Sequence, residues 1–514
     1  MRNTSLKMKS TLPNNSKIIW SQINWLSINR YVEKMQQRIY HAESLGKKRK
    51  VRELQRLLMH SKSVLLTSIK RITQINNGKK TSGIDGYTAL TDYERNQLYN
   101  QMVKHTISQH NPKASLRTYI KKKNGKLRPL SIPTIRDRIW QNIAKMALEP
   151  QWEVRFESTS YGFRPQRSCH DAIERIFKSL ARGKKQWIFE GDFKGCFDNL
   201  KHDYIMKQIR EFPQKTVIKK WLNSGYIDNN AFCETTQGSG QGSVISPLLA
   251  NIALHGMEEQ LEIKYKTRYT KDGYKLIINQ SKYTLVRYAD DFACMCQTKE
   301  DAEAIYNILK TYLKARGLEL EPSKTRVVKV SEGFDFLGFN IKRYQTALGE
   351  KLLIKPSKEA VKKCKKKISE ATRNLYGTNV EALINKLNPI IIGTANYWSP
   401  EVSKKVFSAM DKHIFTVTYG FLKRLHPKKS IGWINAKYYK TDIKGISKNR
   451  WILTAPTKPH IQLKAMSLTH IKRHTMIRHN ASPYDVALKS YYNSRKNKQK
   501  KQDFGEKEYL SCMS

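Results

Sequence analysis

Two adjacent acids between two apolar runs constrain this fold more than any other local feature. Asp290 and Asp291 separate residues 283–288 from residues 292–296, and both runs have the composition of strands. A tight turn between the paired strands would hold the two carboxylates at the rim of a sheet. Carboxylates beside such strands are costly to bury unless something compensates their charge. Taken alone, the pattern predicts a hairpin turn with solvated acids, and a turn that holds metal ions is the alternative.

A third acid in a similar place favours metal ions. Residues 186–191 have strand character and lead directly into Asp192. An acid after one strand, with an acid pair between two later strands, gives the layout of a palm-type polymerase site. Mg²⁺ prefers carboxylate and phosphate oxygens, and two-metal phosphoryl transfer needs carboxylates that hold ions about 4 Å apart. We therefore expect Asp192 and Asp290 to bind two Mg²⁺ ions, with Asp291 as a further ligand or as a support for the turn.

The charge balance indicates a polyanionic partner. The chain has 95 Lys and Arg against 43 Asp and Glu, a net charge of +52. So many positive charges would repel one another unless a polyanion were bound to the protein. Nucleic acid is the expected partner, with salt-dependent binding to phosphates. A membrane is not expected, because the apolar runs are too short to span a bilayer. The seven cysteines form no pair of CxxC motifs, so the sequence predicts neither a zinc site nor disulfides.

An ordered set of short motifs surrounds the acids. In chain order they are NNGKKTSGIDG (76–86), KLRPLSIPTIRDR (126–138), YGFRPQR (161–167), EGDFKGCFD (190–198), QGSVISPLLANIALHGME (241–258), YADD (288–291) and GFDFLGF (333–339). YADD matches the catalytic box of reverse transcriptases, and the whole set resembles the reverse transcriptase–maturases encoded by group II introns. One such block arises easily by chance, whereas the full ordered set does not.

The resemblance implies an α+β fold with right-hand polymerase architecture. Fingers and palm would include an antiparallel palm sheet with helices, followed by a helical thumb and a basic C-terminal segment. The predicted parts are a disordered basic arm (1–19), a helical N-terminal extension of the fingers (20–90), the fingers and palm (91–345), the thumb or maturase X domain (346–450) and a basic DNA-binding segment with tail (451–514). Many relatives continue into a Cys-rich His-Asn-His endonuclease module, whose paired cysteines do not occur in this sequence, so no endonuclease activity is expected.

The resemblance also assigns roles around the predicted metal site. Arg128 and Lys126 would contact the incoming triphosphate, and Phe197 would pack under the sugar and exclude a ribose 2′-hydroxyl. Gln241 would line the nascent base pair, and Lys324 would stabilise or protonate the leaving pyrophosphate. The alternatives are a solvated charged turn for Arg128, an ordinary core position for Phe197 and a plain surface position for Lys324.

One loop departs from the family pattern. Ser239-Gly240 stands where relatives have Thr-Pro before Gln241, and Ser243 replaces a Gly after it. Gly240 adds backbone freedom, so a looser loop at the nucleotide pocket is expected. The resemblance also adds the backbone carbonyl of Phe193 to the predicted metal ligands.

Basic residues outside the palm are expected to face phosphates. The predicted contacts in the thumb and in the DNA-binding segment are Lys362, Lys366, Arg424, Lys428, Lys429, Lys472 and Arg473. A generic basic helical bundle is the alternative for the thumb. For His470, His474 and His479 we expect phosphate contact or a structural role rather than metal binding, since no closed ligand set surrounds them.

The expected function is RNA-directed DNA synthesis on intron RNA, using two Mg²⁺ ions, dNTPs and a primer in the target DNA, together with intron RNA binding that assists splicing. A non-catalytic splicing cofactor, or a reverse transcriptase serving a retron or phage defence, is the alternative. A pure splicing cofactor has no need of the three acids, which favours the enzyme. An intracellular location is expected, in a bacterial cytoplasm or an organelle interior, because the N-terminus lacks a secretion signal. The sequence does not indicate the oligomeric state.

Overall fold

The computed structural model describes residues 19–121, 125, 127–269, 275–347, 349–443, 445 and 449–497. The helices are α1 Trp25–Ser44, α2 Lys48–Met59, α3 Lys62–Lys70, α4 Asp92–Met102, α5 Ile135–Arg155, α6 Cys169–Leu180, α7 Cys196–Asn199, α8 His202–Gln208, α9 Lys215–Leu222, α10 Ser246–Ala253, α11 Met257–Gln260, α12 Lys299–Arg316, α13 Lys358–Arg373, α14 Val380–Trp398, α15 Lys404–Leu425 and α16 Ile431–Tyr438.

The strands are β1 Ser115–Lys121, β2 Leu127–Ile132, β3 Trp187–Gly191, β4 Tyr226–Asp228, β5 Ala231–Cys233, β6 Tyr265–Tyr269, β7 Lys275–Asn279, β8 Thr284–Tyr288, β9 Asp291–Cys296, β10 Arg326–Lys329, β11 Phe334–Phe336, β12 Phe339–Thr346, β13 Gly349–Pro356, β14 Tyr439–Lys440, β15 Ile452–Ala455 and β16 Lys458–Gln462. The predicted disordered arm, except residue 19, and the predicted triphosphate contact Lys126 lie outside the described residues.

The N-terminal helices form because their apolar residues recur at helical spacing. In α1, Val32, Met35 and Ile39 lie about one turn apart and are all buried. Helix α5 begins where the Thr134 hydroxyl accepts a hydrogen bond from the Asp137 N–H. Helices α1, α2 and α3 pack against α5, so one hydrophobic core runs from the N-terminal helices into the centre of the molecule.

One four-stranded antiparallel sheet carries the predicted catalytic acids, with the strand order β10-β3-β9-β8. Side chains alternate between its faces: Phe189 and Phe292 join the first core, whereas Ile188 and Met295 join a second core on the opposite face. Burial of both faces explains why these strands are continuous apolar runs. This palm sheet and its helices confirm the predicted α+β fold.

The two faces of the palm sheet are covered by different elements. Helix α12 packs on the face of the first core, and α6 packs on the face of the second. The second core continues through the sheet β11-β12-β13 into helices α13–α16, the region predicted to be helical and basic. Within the described ranges, no helix combines the length and the apolarity that a membrane span requires.

A small C-terminal sheet was absent from the sequence prediction. Strands β14, β15 and β16 pair in that order, in a region where the sequence indicated only basic and turn-forming residues. These strands have two to five residues, and the outer strand β16 carries the exposed Lys458-Pro459-His460. Such short, partly polar strands give no clear alternation, because tertiary packing rather than local pattern decides their conformation.

Candidate active site

The acid pair lies at the tip of a two-residue hairpin turn. Tyr288 of β8 pairs with Asp291 of β9, which leaves Ala289 and Asp290 in the turn. The backbone of Ala289 is left-handed, with φ of +59°. A left-handed residue other than glycine is strained and persists only where its surroundings fix it. The surrounding contacts of this turn therefore define where the acids point.

A buried arginine fixes the turn from below. Arg287 is fully buried, and its Nη1 donates to the Ala289 carbonyl at 3.1 Å and to Asn251 Oδ1 at 3.0 Å. Asn251 in turn donates to the Gly162 carbonyl at 2.8 Å. A Cβ at Gly162 would lie 2.3 Å from the Ala289 nitrogen, so only glycine permits this approach. Sequence reasoning assigned no role to these three residues, although Gly162 and Asn251 stand in family motifs and Arg287 directly precedes YADD.

The third acid reaches the same place from the neighbouring strand. Gly191 of β3 pairs with Phe292 of β9, so Asp192 follows directly beside the acid pair. Desolvation by burial and repulsion from Asp192 raise the pKa of the Asp290 carboxyl. Asp291 reaches solvent on one side, yet desolvation by burial, with repulsion from Asp290 and Asp192, raises its pKa to about 6. The structure therefore brings the three predicted acids together as a cluster of mutually repelling carboxylates.

Two predicted basic residues face this cluster. The Lys324 ammonium donates to Asp192, and this contact raises the pKa of Lys324. Arg128 lies on β2 near enough to lower the pKa of Asp290, against the larger effect of desolvation. Both cations therefore lie where a triphosphate or pyrophosphate next to the acids would meet them.

The donor set suits a divalent metal ion that shares its ligands with a substrate. Among the described residues, no group of three or more His, Cys, Asp or Glu side chains is arranged as a complete metal-binding set. Mg²⁺ is usually held by one or two carboxylates together with waters and substrate phosphates, rather than by a cage of protein ligands. Asp192, Asp290 and Asp291 supply such carboxylates, and a cation would relieve their mutual repulsion.

The predicted sugar contact Phe197 lies half-buried in α7 and packs against the first core. Its ring meets Phe163 edge to face, with the ring centroids 6.2 Å apart. Phe163 is 51% exposed and has a positive φ of 59°, so its backbone strain holds an aromatic side chain at the surface beside Phe197. The sequence did not single out Phe163. Phe193 pairs with Leu320 in a backbone bridge next to Asp192.

The loop before Gln241 is firmly held, contrary to the expectation of a looser loop. The Ser239 N–H donates to the Phe197 carbonyl at 2.7 Å, and the Gln241 carbonyl accepts from the Ser131 N–H at 2.6 Å. The Ser243 hydroxyl donates to Gln141 at 2.9 Å. Of the departures from the family pattern, Ser243 adds a side-chain hydrogen bond, whereas the Ser239 hydroxyl is buried with no partner among the described residues. The Gln241 side chain reaches Asp198 at 3.5 Å.

The predicted phosphate contacts of the thumb and of the C-terminal segment are exposed. Lys362 and Lys366 lie one turn apart on α13. Arg424 covers the Tyr376 ring at 4.7 Å, and the exposed Lys428 and Lys429 follow α15. Lys472 is also exposed, and its N–H donates to the Ser399 carbonyl. Arg473 lies over Phe177 at 4.1 Å and beside Glu174.

The segment after Arg473 is tied to the palm through buried contacts. We call residues 474–495 the C-terminal strap. Asp171 of α6 is fully buried, and its Oδ1 lies 2.8 Å from His474 Nε2 and accepts from Ile477 N–H at 2.7 Å and Arg495 Nη2 at 3.0 Å. His479 Nε2 lies 2.7 Å from the Ser158 hydroxyl. For these two histidines the structure shows structural contacts, one of the two roles expected.

Comparisons with known proteins agree with the motifs. A model of the family "Reverse transcriptase (RNA-dependent DNA polymerase)" matches residues 120–341. A model of the "N-terminal domain of reverse transcriptase" matches residues 20–102. A model of the "Group II intron, maturase-specific domain" matches residues 361–439.

Several individual proteins are also similar to this chain. Protein YkfC of Escherichia coli is 35% identical over 325 residues, which are 58% of this chain and 85% of that protein. The group II intron-encoded protein LtrA of Lactococcus lactis is 32% identical over 52% of this chain and 53% of its own length, so the match spans about half of that relative. A solved telomerase from Candida albicans, in complex with a fragment of telomeric RNA, aligns at 15% identity and a TM-score of 0.35 over 62% of this chain and 59% of that chain.

Proposed function

This chain belongs to the reverse transcriptase–maturases encoded by group II introns, and from that premise we propose that it copies intron RNA into DNA by two-metal nucleotidyl transfer. The observation that carries the proposal is the convergence of Asp192, Asp290 and Asp291 from two places in the palm sheet, with raised pKa values at Asp290 and Asp291. A cluster of carboxylates under mutual repulsion, at a surface cleft, is typical of a site built for cations.

The acids and the Phe193 backbone carbonyl would hold two Mg²⁺ ions. Bound Mg²⁺ would favour ionisation of the primer 3′-hydroxyl and shield the charge of the triphosphate and of the leaving pyrophosphate. The turn contacts of Arg287 would orient Asp290 and Asp291, so that little reorganisation is needed when substrate arrives.

The remaining residues would bind and select the nucleotide. Arg128, together with Lys126, would bind the triphosphate, and Lys324 would give a proton to the leaving pyrophosphate oxygen. Phe197, supported by Phe163, would exclude a ribose 2′-hydroxyl. Gln241 would line the nascent base pair, on a loop that its backbone hydrogen bonds keep in place.

Intron RNA binding would use the surfaces outside the palm. The exposed basic residues of α13 and of the segment after α15 would contact phosphates without reading sequence, and RNA would be recognised chiefly by its shape. We infer that this binding assists splicing, that the primer is a strand of the target DNA, and that the protein acts in a bacterial cytoplasm or an organelle interior. The parts proposed for these roles are the fingers and palm (91–345), the thumb (346–450) and the DNA-binding segment (451–514).

A second candidate is a splicing cofactor without polymerase activity. It is favoured by the pairing of Lys324 with Asp192, which occupies one of the acids. In that case the basic surfaces alone would carry the function.

Primer extension on an RNA template with dNTPs and Mg²⁺ separates the two candidates. We expect wild type to extend the primer and Asp290→Ala to lose extension, while both bind intron RNA equally. Asp203→Ala, which removes an exposed acid from α8, is the matched control and should retain extension. Tight intron RNA binding by wild type without extension would establish the splicing cofactor instead.

A further inference from the structure

A cavity of about 500 Å³ lies between α15, strands β14 and β15, and the segment 463–467 that follows β16. It shares no lining residue with the predicted metal site. Three aromatic rings line it: Phe415 of α15, Tyr439 of β14 and Trp451 just before β15. Their centroids lie 5.2 to 6.1 Å apart, with the Phe415 and Trp451 rings nearly perpendicular at 88°. The volume falls within the range of roughly 300–1,000 Å³ that is usual for ligand sites.

Two of these rings face water. Trp451 is 55% exposed and Phe415 is 37% exposed. Adjacent exposed aromatic rings at a cavity mouth mark a binding surface more often than a packing defect. Flat rings held at different angles offer a stacking surface to any planar ligand that enters.

The third ring presents a polar group that lacks a partner. The Tyr439 hydroxyl is buried, and no described residue completes a hydrogen bond with it. The Thr418 hydroxyl lies near enough to Tyr439 to lower its pKa against the larger effect of burial, although Thr418 gives its own proton to the Ile414 carbonyl at 2.8 Å. Burial raises the pKa of Tyr439 to about 12, so the hydroxyl keeps its proton. A buried hydroxyl without a partner is uncommon and points to a ligand that supplies one.

The charges at the cavity exclude one class of ligand and favour another. Cages of aromatic rings suit organic cations, but Lys412 and Lys464 line this cavity and would repel a cation. The acid in the lining, Asp411, accepts hydrogen bonds from the Met466 and Ser467 N–H groups at 2.7 and 2.9 Å. The cavity therefore suits a planar, uncharged group attached to an anionic chain.

We propose that this cavity binds one unpaired nucleobase of an RNA strand. The base stacks on Trp451 or Phe415, its edge bonds to the Tyr439 hydroxyl, and a neighbouring phosphate lies near Lys412. Stacking on aromatic side chains is the usual way in which proteins hold unpaired RNA bases. RNA rather than DNA is the occupant, because Phe415 and Tyr439 lie within the residues that match the maturase-specific model. The proposal rests on the proposed binding of intron RNA and adds a base contact to it.

Photocrosslinking tests where the base lies. A short single-stranded RNA that carries 5-iodouridine is irradiated with the wild-type protein, and the crosslinked peptide is identified by mass spectrometry. We expect the crosslink at Trp451 or Phe415, and a DNA of the same sequence should give little. Crosslinks confined to other regions, or equal crosslinking of the DNA, would overturn the proposal.

Substitutions at the cavity test how much each side chain contributes to RNA affinity. Trp451→Ala should weaken binding of the short RNA about tenfold, the loss of one stacked base. Tyr93→Ala, which removes a 70% exposed tyrosine from α4, should have no effect. Tyr439→Phe keeps the ring and the packing, and should change the order of affinity for oligo(A), oligo(C), oligo(G) and oligo(U). Wild-type behaviour of both cavity variants would refute the base pocket.

The outcome does not depend on polymerase activity. If wild type itself fails in primer extension, the proposed polymerase fails, but crosslinking and RNA affinity still report on the cavity. If Trp451→Ala lowers stability, Tyr439→Phe provides the same test in a folded protein.

Discussion

At the scale of single residues, Lys324 pairs with Asp192, a carboxylate that we propose as a ligand of Mg²⁺. The Lys324 ammonium donates to Asp192, and the contact raises the pKa of Lys324. Lys324→Met removes this contact, so the Mg²⁺ concentration for half-maximal extension should fall. The maximal rate should also fall, by about 100-fold, because a general acid near the pyrophosphate is lost.

A Mg²⁺ titration of primer extension by wild type and by Lys324→Met measures both quantities. A purely structural lysine would leave the maximal rate unchanged or would raise the Mg²⁺ requirement. A higher apparent affinity for Mg²⁺ together with a lower maximal rate is therefore expected only of a residue that pairs with Asp192 and also takes part in the chemistry.

Gly162 permits the close approach of two backbones at the acid turn. A Cβ there would lie 2.3 Å from the Ala289 nitrogen, which is backbone and has little room to move. Gly162→Ala should therefore displace the turn and reduce extension at least about 100-fold, since small displacements of catalytic groups have effects of this size. RNA binding should remain near wild type.

Gly393→Ala is the matched control for this substitution. Gly393 lies in α14, where an added Cβ meets nothing within 4 Å. Alanine should stabilise the helix there by up to about 1 kcal/mol, with extension unchanged. If Gly162→Ala extends primers as well as Gly393→Ala does, the turn is not held in the way that its contacts indicate.

The site residues that could be predicted from the sequence are those whose immediate neighbours in the chain form a recognisable pattern. Asp290 and Asp291 stand between two apolar runs, and Asp192 ends a third. Arg287 and Asn251 gave no such signal, because an arginine among many and a helical asparagine become meaningful only when folding brings them together under Ala289. Their contacts join residues far apart in sequence, which no local pattern encodes.

At the scale of elements, one buried carboxylate connects a helix to the C-terminal strap. Asp171 forms the capping box of α6 with Ser168, and its other oxygen receives contacts from Ile477, Arg495 and His474. Burial opposes the ionisation of Asp171, but the contacts of His474 and Arg495 outweigh it and lower its pKa to about 2.

Asp171→Ala should release the strap. The variant leaves the charge of Arg495 without its carboxylate, so the free energy of unfolding should fall by roughly 3–5 kcal/mol at neutral pH. The folded pKa lies below the unfolded value of about 3.9, so this contribution is present above about pH 4 and is lost as the pH falls towards 2. Denaturant unfolding across this pH range, with limited proteolysis of the strap, measures the effect. Asp203→Ala is the control, and equal stability of the two variants at pH 7 would contradict a connecting role for Asp171.

Some helices and strands could be predicted from the sequence, and others could not. The palm strands β3, β8 and β9 are mostly apolar, and α1 and α12 have clear helical spacing, so local pattern and tertiary structure agree. The C-terminal strap and strands β14–β16 could not be predicted in this way. Their conformation depends on partners elsewhere in the chain, such as Asp171 for the strap, and their polar composition predicts surface contacts with nucleic acid instead.

At the scale of the whole molecule, the net charge of +52 makes salt dependence the central property of RNA binding. Lys362 and Lys366 occupy one exposed face of α13 and are proposed to contact phosphates. Each lost phosphate contact should reduce the slope of log affinity against log salt by about 0.7 to 0.9. Lys362→Ala combined with Lys366→Ala should therefore reduce the slope by about 1.5 and weaken binding equally for all RNA sequences, because phosphate contacts carry no sequence information.

A second double variant separates local contact from overall charge. Lys282 pairs with Asp301 at 2.8 Å, and Lys299 pairs with Glu303 at 3.3 Å, so both are engaged at the protein surface. Lys282→Ala combined with Lys299→Ala removes the same total charge and should leave the slope close to that of wild type. Filter binding of intron RNA over a range of KCl concentrations gives both slopes. If the two double variants reduce the slope equally, the long-range field of the chain governs binding, and α13 has no contact of its own with the RNA.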